Sequence, residues 1–243
     1  MRFEKARVFL VCGIAAVALA IVTALFAVVG GFQGLCFYLQ LKERVYSYDA
    51  FEHMLQKWPA WMGIGGLVAL VFLLQSAMVG SKRSKTAYTL RRLQLGEAGT
   101  TVIFALIFAG YFVLYWAFQI FMCLAMYAMY INKVGSVENL LFVSAFRAQY
   151  FHNVLPLYEP WALVRNGVVC VCFGSFAALS ARNARNGRGA PLLMFAVALF
   201  FGMILYPHQI AVQTNDISLS VIMLICLALD IFWTRRWHRN EEN

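Results

Sequence analysis

Arg165 and Asn166 stand side by side near the head of one apolar run, Asp230 lies inside another, and Met126 and Tyr130 close a third. Inside a membrane bundle such polar groups mark ligand or ion paths, whereas at its rim the same groups reach outward to the headgroups. Both readings are open for Arg165 and Asn166. Asp230, five residues before Arg235, is accounted for by snorkelling to the interface or pairing with the basic tail. Met122, Met126, Tyr127, Met129 and Tyr130 put soft and aromatic side chains together. They serve either as ordinary packing or as an adaptable lining for an apolar ligand.

Catalytic chemistry finds little to work with. His53, His152, His208 and His238 are scattered without the H-E-x-x-H spacing of a metal site. No G-x-S-x-G nucleophile elbow and no G-x-x-x-x-G-K-[ST] phosphate loop occurs, so the chain itself is not expected to hydrolyse ATP. Cys12, Cys123, Cys170, Cys172 and Cys226 lie within apolar runs and read as small hydrophobes, and no disulfide framework is implied.

These residues must be positioned by membrane helices. Of 243 residues 62% are hydrophobic and 13% charged, and residues 8–41, 58–81, 98–132 and 189–215 contain no Asp, Glu, Lys or Arg. A helix crossing the hydrocarbon needs roughly 20 apolar residues. Six spans are expected, at about 8–30, 60–80, 100–130, 163–181, 190–206 and 217–234, forming one all-α membrane domain. The first is too long for a signal peptide and is read as retained. With both termini on one side, that side receives fourteen basic residues against six on the other, which predicts cytoplasmic termini at the cell membrane. The net charge of +9 is then a topology signal shared among four short segments, not a nucleic-acid surface.

Several local features refine this outline. Aromatic residues over 35–61 suit the headgroup level, and Gly63, Gly65 and Gly66 in the second span could admit a close neighbour. Asn215 or Asp216 can cap the sixth span. Between the third and fourth, Val137, Leu140, Leu141, Ser144, Ala148, Phe151 and Leu155 recur at helical spacing, predicting an outer amphipathic helix ended by Pro156 and Pro160.

Ser81–Thr100, between the second and third spans, holds five basic residues and one acid. Thr86, Leu90 and Leu93 fall on one stripe of a short helix that Ser84 can cap and Gly96 can end. Such a helix rests on acidic lipid or fits a groove on a cytoplasmic partner.

The run Lys85-Thr86-x-Tyr88-x-Leu90-Arg91-Arg92-Leu93-x-Leu95 resembles the coupling segment of the type-two permease subunits of ATP-binding-cassette exporters. Phe151-His152-x-x-Leu155-Pro156-Leu157 and Arg165-Asn166-Gly167 are similar to runs in bacterial relatives. Gln94 departs from the proline many of them carry there. The resemblance implies a permease that pairs with a second, identical or homologous, permease and docks on separate ATPase subunits, which hold the ATP and Mg. It assigns Thr86, Tyr88, Leu90, Arg91, Arg92 and Leu93 to that coupling. Met126, Tyr130, Arg165 and Asn166 are the candidates for an outer gate or substrate path. The alternative is a membrane substrate-binding or scaffold protein without ATP coupling.

Overall fold

The computed structural model describes residues 2–43, 50–79, 97–135, 139–157, 159–185 and 212–242. Among them the secondary structure is entirely helical: α1 (Arg2–Glu43), α2 (Ala50–Gln56), α3 (Trp58–Val79), α4 (Glu97–Val134), α5 (Leu140–Arg147), α6 (Gln149–Val154), α7 (Pro160–Arg185) and α8 (Val212–Glu242). Five of these, α1, α3, α4, α7 and α8, are long and apolar enough to cross a membrane. The expected fifth span, 190–206, and the short helix expected around Thr86, Tyr88, Leu90, Arg91, Arg92 and Leu93 lie outside the described residues.

The long helices turn apolar side chains outward. Leu106 is 69% and Phe121 65% exposed on α4, and α8 shows Ile225 and Phe232 in the same way. A water-soluble bundle would cover such a surface; a multi-pass membrane protein presents it to lipid. The buried side of α8 is a single stripe, Leu219, Met223, Cys226, Asp230 and Thr234, laid against α7.

α7 is the centre of the bundle, packed on α3, α4 and α8, while α1 closes against α3 and α4. At the tightest crossing, a Cβ on Gly174 would lie 2.7 Å from Cα of Ala109 and 2.9 Å from the carbonyl oxygen of Ala105. Only glycine lets α4 and α7 approach so closely. The core around this crossing holds Phe104, Phe108, Phe112, Phe173 and Phe176.

Directions follow from the hydrogen bonds. Gln33 of α1 reaches both Pro59 at the start of α3 and Gln119 in the second half of α4, and Lys133 Nζ donates to the carbonyl of Leu41 at 2.8 Å. The ends of α1 and α4 and the start of α3 therefore share one end of the bundle, which α2, α5 and α6 cover. Arg165 pairs with Asp216 there, and Asn183 Nδ2 donates to Thr234 Oγ1 at 3.4 Å towards the other end, so α7 and α8 run parallel.

Three local readings change. The first helix does not stop near residue 30 but continues to Glu43. At about 1.5 Å per residue it is roughly 63 Å long, twice the hydrocarbon thickness, so it tilts or projects. The single amphipathic helix expected after the third span is two, α5 and α6, broken where Ala148 takes an extended backbone (φ −76°, ψ 102°). Its stripe still faces inward, with Leu140, Ser144, Ala148 and Phe151 buried. The break turns Tyr150 and Phe151 into the bundle, and the Arg147 carbonyl it frees accepts from Gln56 Nε2 at 3.2 Å. Asp216, expected at a helix cap, sits a turn inside α8, which starts at Val212, and is 1% exposed.

Chain punctuation behaves as its chemistry requires. Gly135, at φ +96°, ends α4 in a conformation that suits glycine. Pro156 follows the end of α6, and Pro160 is the first residue of α7, where its missing N–H costs nothing.

Candidate functional site

Beneath the covered end lies a cavity of about 100 Å³. Its wall comes from Gly63, Ile64 and Leu67 of α3, Phe112, Tyr115, Trp116 and Gln119 of α4, Arg165, Asn166, Val169 and Cys170 of α7 and Leu219 of α8. Tyr150, Asn153 and Val154 of α6 form the cover. Space of that size accepts several waters or one small organic group.

Three polar arrangements surround it. The first joins α1, α3, α4 and α6. Gln33, fully buried, donates through Nε2 to the Pro59 carbonyl at 2.8 Å and to Gln119 Oε1 at 2.9 Å. The Tyr150 hydroxyl donates to the same Oε1 at 2.6 Å, and the Tyr115 hydroxyl donates to the Gly63 carbonyl at 2.6 Å. The cluster needs Gly63, since a Cβ there would meet the Tyr150 hydroxyl, Gln33 Nε2 and Gln119 Oε1. Gly66 makes the same room for the Tyr115 hydroxyl, whereas Gly65 faces open space, so two of the three glycines carry close packing. Burial above all pushes the Tyr150 phenol well above its ordinary pKa of 10.0, so it remains a donor.

The second arrangement is a buried ion pair. Arg165 Nη1 donates to Asp216 Oδ1 at 2.6 Å, the residues being 6% and 1% exposed. Arg165 Nε and Nη2 also donate to Asn166 Oδ1, at 3.2 and 3.0 Å. Arg165 is thus buried between α7 and α8 with its charge neutralised by Asp216.

The third ties down the cover. Asn166 Nδ2 donates to the Asn153 carbonyl at 2.9 Å, Arg165 Nη2 approaches the same oxygen at 3.5 Å, and Trp116 Nε1 donates to the Val154 carbonyl at 2.7 Å. The last carbonyls of a six-residue helix, which have no partner within it, are thus met by α4 and α7.

The residues singled out in the sequence fall in different places. Arg165 and Asn166 line the cavity. Met126 and Tyr130 do not; they are buried in an apolar cluster with Phe37, Phe51, Met54 and Leu140, where Phe51 and Tyr130 have ring centroids 5.2 Å apart. Asp230 is 7% exposed on the face of α8 turned to α7, and no basic side chain among the described residues pairs with it. No group of three or more potential metal ligands occurs among the described residues.

Gln33, Gln119, Tyr115, Tyr150 and Asn153 are not singled out by the sequence. A signal for two of them was present, since Gln33 and Gln119 are amides well inside charge-free runs, where an unpaired amide is costly. Comparison with known protein families, with curated proteins and with solved structures finds no match to this chain.

Proposed function

We propose that this chain is the membrane-spanning permease subunit of an ATP-binding-cassette exporter, moving a hydrophobic or amphipathic compound or peptide while separate ATPase subunits bind ATP and Mg. The observation that carries the transport reading is the cavity: four spanning helices surround a space whose mostly apolar wall carries a few buried polar groups, closed at one end by a short helix latched through three donors. A bundle built only for anchoring has no use for buried amides around a void, because each costs free energy unless partnered.

Six spans are supported by the parallel run of α7 and α8, since the chain that leaves α7 at one end enters α8 at the other. With the excess of basic residues inside, the covered end faces outward and both termini are cytoplasmic. Opening would then release α6 from Trp116, Arg165 and Asn166 while the helices rock as rigid bodies. The link to ATP rests on the resemblance of Lys85–Leu95 to a coupling segment. Tyr88, Leu90 and Leu93 would fit an ATPase groove, with Arg91 and Arg92 keeping the segment cytoplasmic, and a second permease would complete the assembly.

The test is Leu90→Asp combined with Leu93→Asp. A buried Leu is worth about 1.5–3 kcal/mol, so losing two weakens docking by about a hundredfold or more. Membrane insertion should persist while ATPase co-purification and transport are lost. Retention of the ATPase at wild-type stoichiometry would remove the case for ATP coupling and leave a substrate-binding or scaffold protein.

A further inference from the structure

The cavity wall contains two buried hydrogen-bond donors, Gln119 Nε2 and Asn153 Nδ2, without a partner among the described residues. Gln119 is 4% exposed, and its orientation is set by its neighbours. The Pro59 carbonyl can only accept, so the Gln33 atom against it must be Nε2; that nitrogen also donates to Gln119, whose near atom must be Oε1. Oε1 further accepts from Tyr150. Nε2 is therefore turned away from Gln33 and Tyr150, towards the Tyr115 hydroxyl, and among the described residues it completes no hydrogen bond.

A buried amide N–H left unmet keeps its full desolvation penalty, so an oxygen acceptor within the cavity is the chemistry that relieves it. Charge decides which acceptor. Arg165 is the charged residue of the wall, and Asp216 already neutralises it at 2.6 Å. Among the described residues an anion would find no net positive charge there, and a cation would find no carboxylate in the wall, Asp216 lying behind Arg165 and engaged with it through Oδ1. Ile64, Leu67, Phe112 and Val169 supply apolar contact for the remainder of a guest.

We infer that the cavity binds a neutral carbonyl group, of an amide or an ester, carried on an apolar body, with Gln119 Nε2 and Asn153 Nδ2 donating to its oxygen. The inference rests on the cavity being a ligand chamber, as proposed above, but not on ATP coupling, so it is tested on the full chain alone, in lipid nanodiscs without ATPase. The probes are radiolabelled octanamide, octylammonium and octyl sulfate, matched in chain length and differing in charge. Saturable binding of octanamide in preference to both ions is expected. Asn153→Ala should weaken it about threefold to tenfold, the range of one hydrogen bond. This variant leaves the Asn153 carbonyl and its latch in place and removes only the unmet amide, so the thermal midpoint should hold or rise. Gln119→Met should weaken binding at least as much.

Tighter binding of either ion, no saturable binding of any probe, or octanamide binding unchanged in both variants would overturn the inference. Displacement of octanamide by N-acetyl-leucinamide points to a peptide carbonyl, and by monooctanoylglycerol to a lipid ester; either result supports the class. Loss of ATPase association in Leu90→Asp with Leu93→Asp is read separately and leaves this outcome untouched.

Discussion

Gly63 is where the polar cluster is most sensitive to one methyl group. An added Cβ meets the Tyr150 hydroxyl and would lie 2.9 Å from Gln33 Nε2 and 3.0 Å from Gln119 Oε1, so the network must open. Gly63→Ala is expected to destabilise the protein by about 1–3 kcal/mol, the cost of overpacking. Gly65→Ala, two residues away and facing nothing within 4 Å, should be neutral or stabilising by up to about 1 kcal/mol. Thermal midpoints of the two variants in one detergent check the contrast, and equal midpoints would contradict the packing described. Arg165 gives a second comparison. Arg165→Gln leaves the Asp216 carboxylate buried without its counter-charge and should cost about 3–5 kcal/mol, while adding Asp216→Asn should recover more than half. A double variant no better than the single would show that the pair is not what matters there.

At the scale of elements, the cover formed by α5 and α6 is small and depends on donors from its neighbours. Trp116→Phe keeps the ring and removes the bond to the Val154 carbonyl. Amide hydrogen exchange across 143–155 should quicken about threefold to tenfold, with the α4 amides around Phe112 unchanged. Much of the cover was legible beforehand, because the stripe from Leu140 to Leu155 does face inward and Pro156 does follow its last turn. The break at Ala148 was not, since alanine favours helix and the extended backbone there is imposed by tertiary contacts. The long spans were legible from runs lacking charge, and the Arg165–Asp216 pair was not. Each residue alone reads as an ordinary helix-end group, and only the packing of α7 on α8 brings them to 2.6 Å. Met126 and Tyr130 show the reverse: a soft, aromatic cluster that hinted at a ligand is filled by the protein's own side chains.

The whole molecule is predicted to cross the membrane six times with both ends inside. Cysteines placed at Ser84, Asn186 and Glu242 should react with an impermeant maleimide only after the inner face is exposed, and those at Asn139 and Gln213 from outside. Labelling of position 186 from outside would remove the sixth crossing and with it the side assigned to the cavity.

The partners of the buried ion pair are 51 residues apart in the chain. At about 5–20 residues per second, a ribosome that has made Arg165 needs roughly 3–10 s more to make Asp216. During that interval the arginine has no counter-charge, so it must wait at the headgroups and move inward only when α8 arrives. A nascent chain halted before Asp216 should therefore be cleared quickly by membrane proteases, and one halted after Arg236 should persist. Pulse-chase lifetimes of the two would show whether the bundle is completed by its last helix.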